Sequence, residues 1–179
     1  MKTLGMAFLA MVGMALPSFA TAITVDGSYH EFGFSSVGPV VTCGGSCTGT
    51  TSPVAEQTSS PPWTFSGPAT IFVVDLFLST DRFEVFDNAI SLGLTSVAVA
   101  GGACGGDIAC SIADARYSRG SFGVGAGAHS LTINFLSGQS GAAVFSASNS
   151  VPEPGSLLSM GAGLAMLGVW SRRKYFAKR

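Results

Sequence analysis

The chain has 179 residues, a formal net charge of −1 and a hydrophobic share of 47%. Between residues 23 and 150, however, nine acidic residues face three arginines and no lysine, a net charge of −6. Such a segment lacks the basic footprint of a nucleic-acid binder, and about 128 residues give room for one domain with its own core but not for two.

The first elements are at the N-terminus. Lys2 precedes an uncharged apolar run of about a dozen residues, which Pro17 ends. Ser18, Ala20 and Ala22 then supply small residues for a cut after Ala20 or after Ala22. A basic start, a short apolar run and a small-residue exit predict a secretory signal peptide over residues 1–22. The run is too short for a membrane span, which needs about 20 residues.

Residues 23–150 show no helical period. Short alternating runs rich in Val, Phe, Thr and Gly are punctuated by Gly, Ser, Asn and Asp, which predicts an all-β fold. Residues 29–34 form a weak first strand, and residues 38–60 form a long loop. Trp63 and Phe65 share one face of a second strand. The near-continuous apolar run at 69–78 predicts a strand buried on both faces. Residues 82–87 and 90–95 form a hairpin with its tip at Asp87, Asn88 and Ala89, because Asn tolerates the positive φ of tight turns. Phe83, Val85 and Leu92 point to the core. Residues 100–112 read as a second glycine-rich loop. Strands follow at 121–124, 129–136 and 142–147, with turns at 125–128 and 137–141. Seven to nine strands predict an antiparallel β-sandwich of jelly-roll type.

Four cysteines fall in two local pairs, Cys43 with Cys47 and Cys104 with Cys110. An oxidising compartment favours disulfides over a four-thiolate zinc site, whose usual two-residue knuckles are absent. Asp75, Asp81, Glu84 and Asp87 lie close enough in sequence to be candidate Ca²⁺ ligands, which must be oxygen-rich. No EF-hand spacing supports them, and solvated turn residues are the simpler reading. His30 and His129 are the only histidines. Ser130 adjoins His129 but points to the other face of a strand, and no nucleophile elbow occurs. These residues therefore predict no enzyme. Trp63, after Pro61 and Pro62, is the candidate for a sugar-stacking surface, while most aromatics belong to the core.

The C-terminus has three parts in fixed order. Val151, Pro152, Glu153 and Pro154 come first. Residues 155–170 carry no charge, and residues 171–179 hold five basic residues including Arg172, Arg173 and Lys174. An apolar stretch followed by basic residues is a stop-transfer pattern with its positive end cytoplasmic. Sixteen helical residues span about 24 Å, short against a hydrocarbon core of about 30 Å, so the predicted transmembrane helix is a marginal, transient anchor.

This order of motif, span and basic tail resembles the PEP-CTERM sorting signal. The resemblance implies a Gram-negative bacterium with an exopolysaccharide-producing surface. It also implies an exosortase as processing partner, acting on Pro152, Glu153 and Pro154 as its substrate site. The precursor would sit transiently in the inner membrane and then move to the cell surface or matrix. Residues 81–88, 93–95 and 127–133 further resemble ectodomains common among PEP-CTERM proteins and, in pattern only, jelly-roll carbohydrate-binding modules. The expectation is a structural surface protein associated with exopolysaccharide. The alternatives are a carbohydrate- or calcium-binding module and, behind it, a secreted hydrolase.

Overall fold

A computed structural model describes residues 20–35, 37–40, 51–58 and 60–149. The predicted signal peptide up to residue 19, Cys43, Cys47 and the C-terminal sorting segment lie outside the described residues.

The all-β expectation holds. Among the described residues nine strands appear in chain order: β1 (Thr21–Ala22), β2 (Tyr29–Phe34), β3 (Gly38–Pro39), β4 (Glu56–Gln57), β5 (Trp63–Asp75), β6 (Arg82–Asp87), β7 (Ile90–Leu94), β8 (Arg119–Ser137) and β9 (Gly141–Asn149). They hydrogen-bond into one sheet in the order β4-β2-β9-β5-β8-β6-β7, with β1 beside β5 and β3 beside β8. The two-residue strands β1 and β4 pair in parallel, and every other pairing is antiparallel.

The sheet curls until its distant strands meet. Phe32 and Phe34 of β2 lie 5.6 and 5.0 Å from Phe83 of β6, ring centre to ring centre. Three strands separate β2 from β6 in the sheet, so these contacts cross the interior. Trp63 joins them through Phe32 and Phe145. This interior is the main core, and alternate residues of β5 (Trp63, Phe65, Ala69, Ile71, Val73) line it. The opposite face of the sheet buries Val74, Leu76 and Val144 with Ala55 and Ile108. The apolar run in β5 is thus covered on both faces, as its composition predicted.

The strands expected at Trp63 and at 69–78 are one strand, β5, which ends at Asp75, and the expected loop at 38–60 contains the two-residue strands β3 and β4. Two further boundaries need correction. Residues 125–128 are not a turn: β8 runs unbroken through them for 19 residues. Gly67 pairs with Gly127 but Ala69 with Val124, so β8 carries one extra residue there. That bulge flips the alternation. Phe122 and Val124 pack on the core before it, and Leu131, Ile133 and Phe135 after it. A broken period with two glycines reads as a turn in sequence, whereas the bulge bends a continuous strand. The second correction is a short helix, α1 (Ile108–Ala113), inside the predicted loop. The Asp107 side chain caps it by accepting from Cys110 N–H at 3.0 Å. Ile108 and Ile112, four residues apart on one face, reach the second core.

Candidate functional site

The four acidic residues weighed as Ca²⁺ ligands do not converge. Asp75 ends β5 and Asp81 precedes β6, and the two meet: Asp81 N–H donates to Asp75 Oδ2 at 3.2 Å. Glu84 lies within β6 and accepts from Ser91 Oγ at 2.6 Å across the hairpin. Asp87 closes the far end of β6, where Oδ2 holds His129 Nδ1 at 2.8 Å and Oδ1 accepts from Ser130 N–H at 3.1 Å. At about 3.4 Å per residue, a six-residue strand separates its two ends by roughly 17 Å. Among the described residues no three His, Cys, Asp or Glu side chains gather as a metal-ligating group.

The solvated-turn reading also fails for two of them. Asp75 and Asp81 are buried. Burial is the largest influence on Asp75 and pushes it up to about 9, and the nearby charge of Asp81 adds to this. Burial raises Asp81 as well, opposed by hydrogen bonds from the Gln139 backbone, Thr80 and Asp75. Nothing in the sequence around Asp75 marked its burial except the apolar run that it terminates.

His129 is a strand residue engaged at both nitrogens. Nδ1 meets Asp87 and Nε2 meets the Gly125 carbonyl at 2.9 Å. Its ring stacks on Phe65 at 5.1 Å. Burial lowers its pKa, but the bonds to Asp87 and Gly125 outweigh that and the net direction is up. His30 is buried beside Phe145, with Nδ1 3.3 Å from the exposed Glu56. Burial dominates there and lowers its pKa, against the charges of Glu56 and Asp26. The two histidines therefore occupy separate structural settings, and neither has a serine or cysteine partner among the contacts described above.

Trp63 is not at an edge. It is fully buried among Phe32, Phe145 and the rest of the core, so it cannot stack on a sugar. The two prolines before it open a strand whose first residue points inward. Cys104 and Cys110 are joined by a disulfide, with Cα atoms 5.6 Å apart, as their spacing predicted. It ties α1 to the loop that precedes it. No helix among the described residues is long and apolar enough to cross a membrane.

The feature that specifies function lies beyond the sheet. Residues 150–174 match the family model of the PEP-CTERM protein-sorting motif. The chain carries a PEP-CTERM signal. The match takes in Val151, Pro152, Glu153 and Pro154, the uncharged span, and Arg172, Arg173 and Lys174. The PEP-CTERM motif implies an exported protein sorted by an exosortase, with a membrane-anchored precursor. No curated protein and no solved structure matches the chain.

Proposed function

We propose that this chain is a structural protein of a Gram-negative cell surface or extracellular matrix. An exosortase processes it through residues 151–154, and its sandwich-type β domain is retained among exopolysaccharide. One observation carries this reading, the PEP-CTERM match over residues 150–174. The β domain is consistent with a non-catalytic role. Both ring nitrogens of His129 are occupied by Asp87 and Gly125, which leaves that imidazole no free nitrogen to act as a base on a substrate. Contacts across the curled sheet, such as Phe32 with Phe83, support reading the domain as a sandwich.

The intact mass of protein recovered from the cell surface tests the proposal. The expected product lacks the signal peptide, cut after Ala20 so that β1 (Thr21–Ala22) stays in the sheet, and everything beyond the Pro152-Glu153-Pro154 region. A mature chain that still carries Arg172 to Arg179 would overturn it and leave a plain single-span anchor.

A further inference from the structure

Asp75 and Asp81 form a buried carboxyl pair to which the described residues supply hydrogen-bond donors but no paired cation. Asp75 Oδ2 accepts from Asp81 N–H, while Asp75 Oδ1 is buried with no partner among the described residues. Asp81 Oδ1 accepts from Gln139 N–H at 2.7 Å and from the Thr80 hydroxyl at 3.0 Å. The ion pairs among the described residues, His30–Glu56, Arg116–Asp114 and His129–Asp87, all lie elsewhere. The adjacent Arg82 gives its Nε to the Thr95 carbonyl, and Glu84 is bonded to Ser91. Gly141 of β9 lies beside the Phe34 ring of β2 and close to Asp81 Oδ2, while the buried Glu31 of β2 alternates with Phe32 and Phe34 and so faces the other side of the sheet. Among the described residues the ionisable group that acts on Asp75 is Asp81. Two carboxyls this close in a low-dielectric setting cannot both be anions without a counter-ion.

The pair also joins two segments. A cavity of about 190 Å³ lies between residues 76–78 with Asp81 on one wall and residues 139–142 on the other. The Gln139 N–H bond to Asp81 joins the two walls. Gly138, at φ +129°, lets the turn approach so closely that a Cβ there would sit 2.8 Å from Asp81 Cα.

We propose that Asp75 and Asp81 share one proton, and that this proton is a latch holding residues 76–81 against the 138–141 turn. When hydroxide or a buffer base removes the proton, two buried anions face each other. Repulsion and hydration then draw Asp81 outward, and its bond from Gln139 is lost with it. Burial and the Asp81 charge keep Asp75 protonated up to about 9, so the latch opens in the alkaline range. A raised carboxyl also means that the folded state holds a proton the unfolded chain has released. Its contribution to stability is therefore greatest at acidic pH and declines as pH rises from about 4 towards about 9.

The test is amide hydrogen exchange of the full chain in detergent micelles, corrected for intrinsic rates, at pH 6 and pH 10. The amides of Gln139 and Asp81 should lose about tenfold in protection at pH 10, while β5–β9 ladder amides keep theirs. Asp75→Asn, neutral at every pH, should hold both amides protected throughout. The wild-type Asp75 side-chain carboxyl, followed by ¹³C NMR, should titrate in the alkaline range, a readout that does not depend on the variant folding. Flat protection in the wild type, an equal loss in Asp75→Asn, or titration near 4 would each overturn the latch. So would a rise in Tm on adding CaCl₂ at pH 7 that Asp75→Asn abolishes, because a cation would then hold the pair.

Discussion

His129 shows how one side chain can be legible in kind and illegible in role. Its position at a strand was readable from the alternation of Leu131, Ile133 and Phe135, but its partner Asp87 lies 42 residues away. Both of its partners, a carboxylate and a carbonyl, accept, so the ring satisfies both only as an imidazolium with two donors. Its folded pKa is raised. The stability it adds is therefore fully present below the unfolded value of about 6.5 and is lost as pH rises through the folded one. His129→Gln should cost about 2 kcal/mol at pH 5.5, the scale of a hydrogen bond to a charged group, and much less at pH 9. Urea unfolding at the two pH values measures this, and an equal cost at both would refute the charged-clamp reading. Ala89 offers a second residue-scale test. It sits at φ 64° beside Asn88 at 49°, the pair of positive angles that a two-residue hairpin turn demands. Asn tolerates this conformation and Ala does not. Ala89→Gly should therefore stabilise the protein by about 1 kcal/mol, seen as a higher urea midpoint with an unchanged slope.

Elements were legible where the chain obeys a single period. The β6–β7 hairpin emerged from Asn88 and the flanking apolar positions because every signal there is local. β8 did not, because its period changes phase between Val124 and His129. The reason is steric and lies on another strand. Gly67 of β5 faces Gly127, and a Cβ on Gly67 would meet the Gly125 carbonyl oxygen and lie 2.6 Å from His129 Nε2. The two strands cross there with no room for a side chain. Gly67→Ala should cost about 3 kcal/mol, the upper range for forcing atoms into a packed site, since backbone as well as a side chain must move. Thermal unfolding followed by near-UV circular dichroism would register it, and a loss below about 0.5 kcal/mol, typical of surface changes, would mean that the crossing relaxes freely. α1 was hidden for a different reason. The six residues Ile108–Ala113 are too few to show a period, and only the cap residue Asp107 with Ile108 and Ile112 marked it.

The whole molecule divides into a part whose meaning is written in order along the chain and a part whose meaning arises only on folding. The sorting segment is of the first kind: motif, apolar span and basic tail are read in sequence by another enzyme, so residues 150–174 were legible without a fold. The closure of the sheet is of the second kind. No local signal says that Phe32 should meet Phe83, and bulges on β7 and β8, which bend and twist a sheet, are set by pairings between distant segments. The same separation makes the two parts independently removable. β9 completes its pairing to β2 and β5 by Asn149, where it faces Ala69. Among the described residues, every buried residue of both cores lies before that point. A chain ending at Ser150 should therefore unfold within about 1 °C of the domain released from the full chain. It should nevertheless fail to reach the membrane-anchored state, because the span and the basic cluster that hold it there are gone. Differential scanning calorimetry paired with membrane flotation separates these outcomes. A truncated chain that unfolds several degrees lower would show that residues beyond 150 pack on the sheet. One that still floats with the membrane would place the anchor elsewhere in the chain.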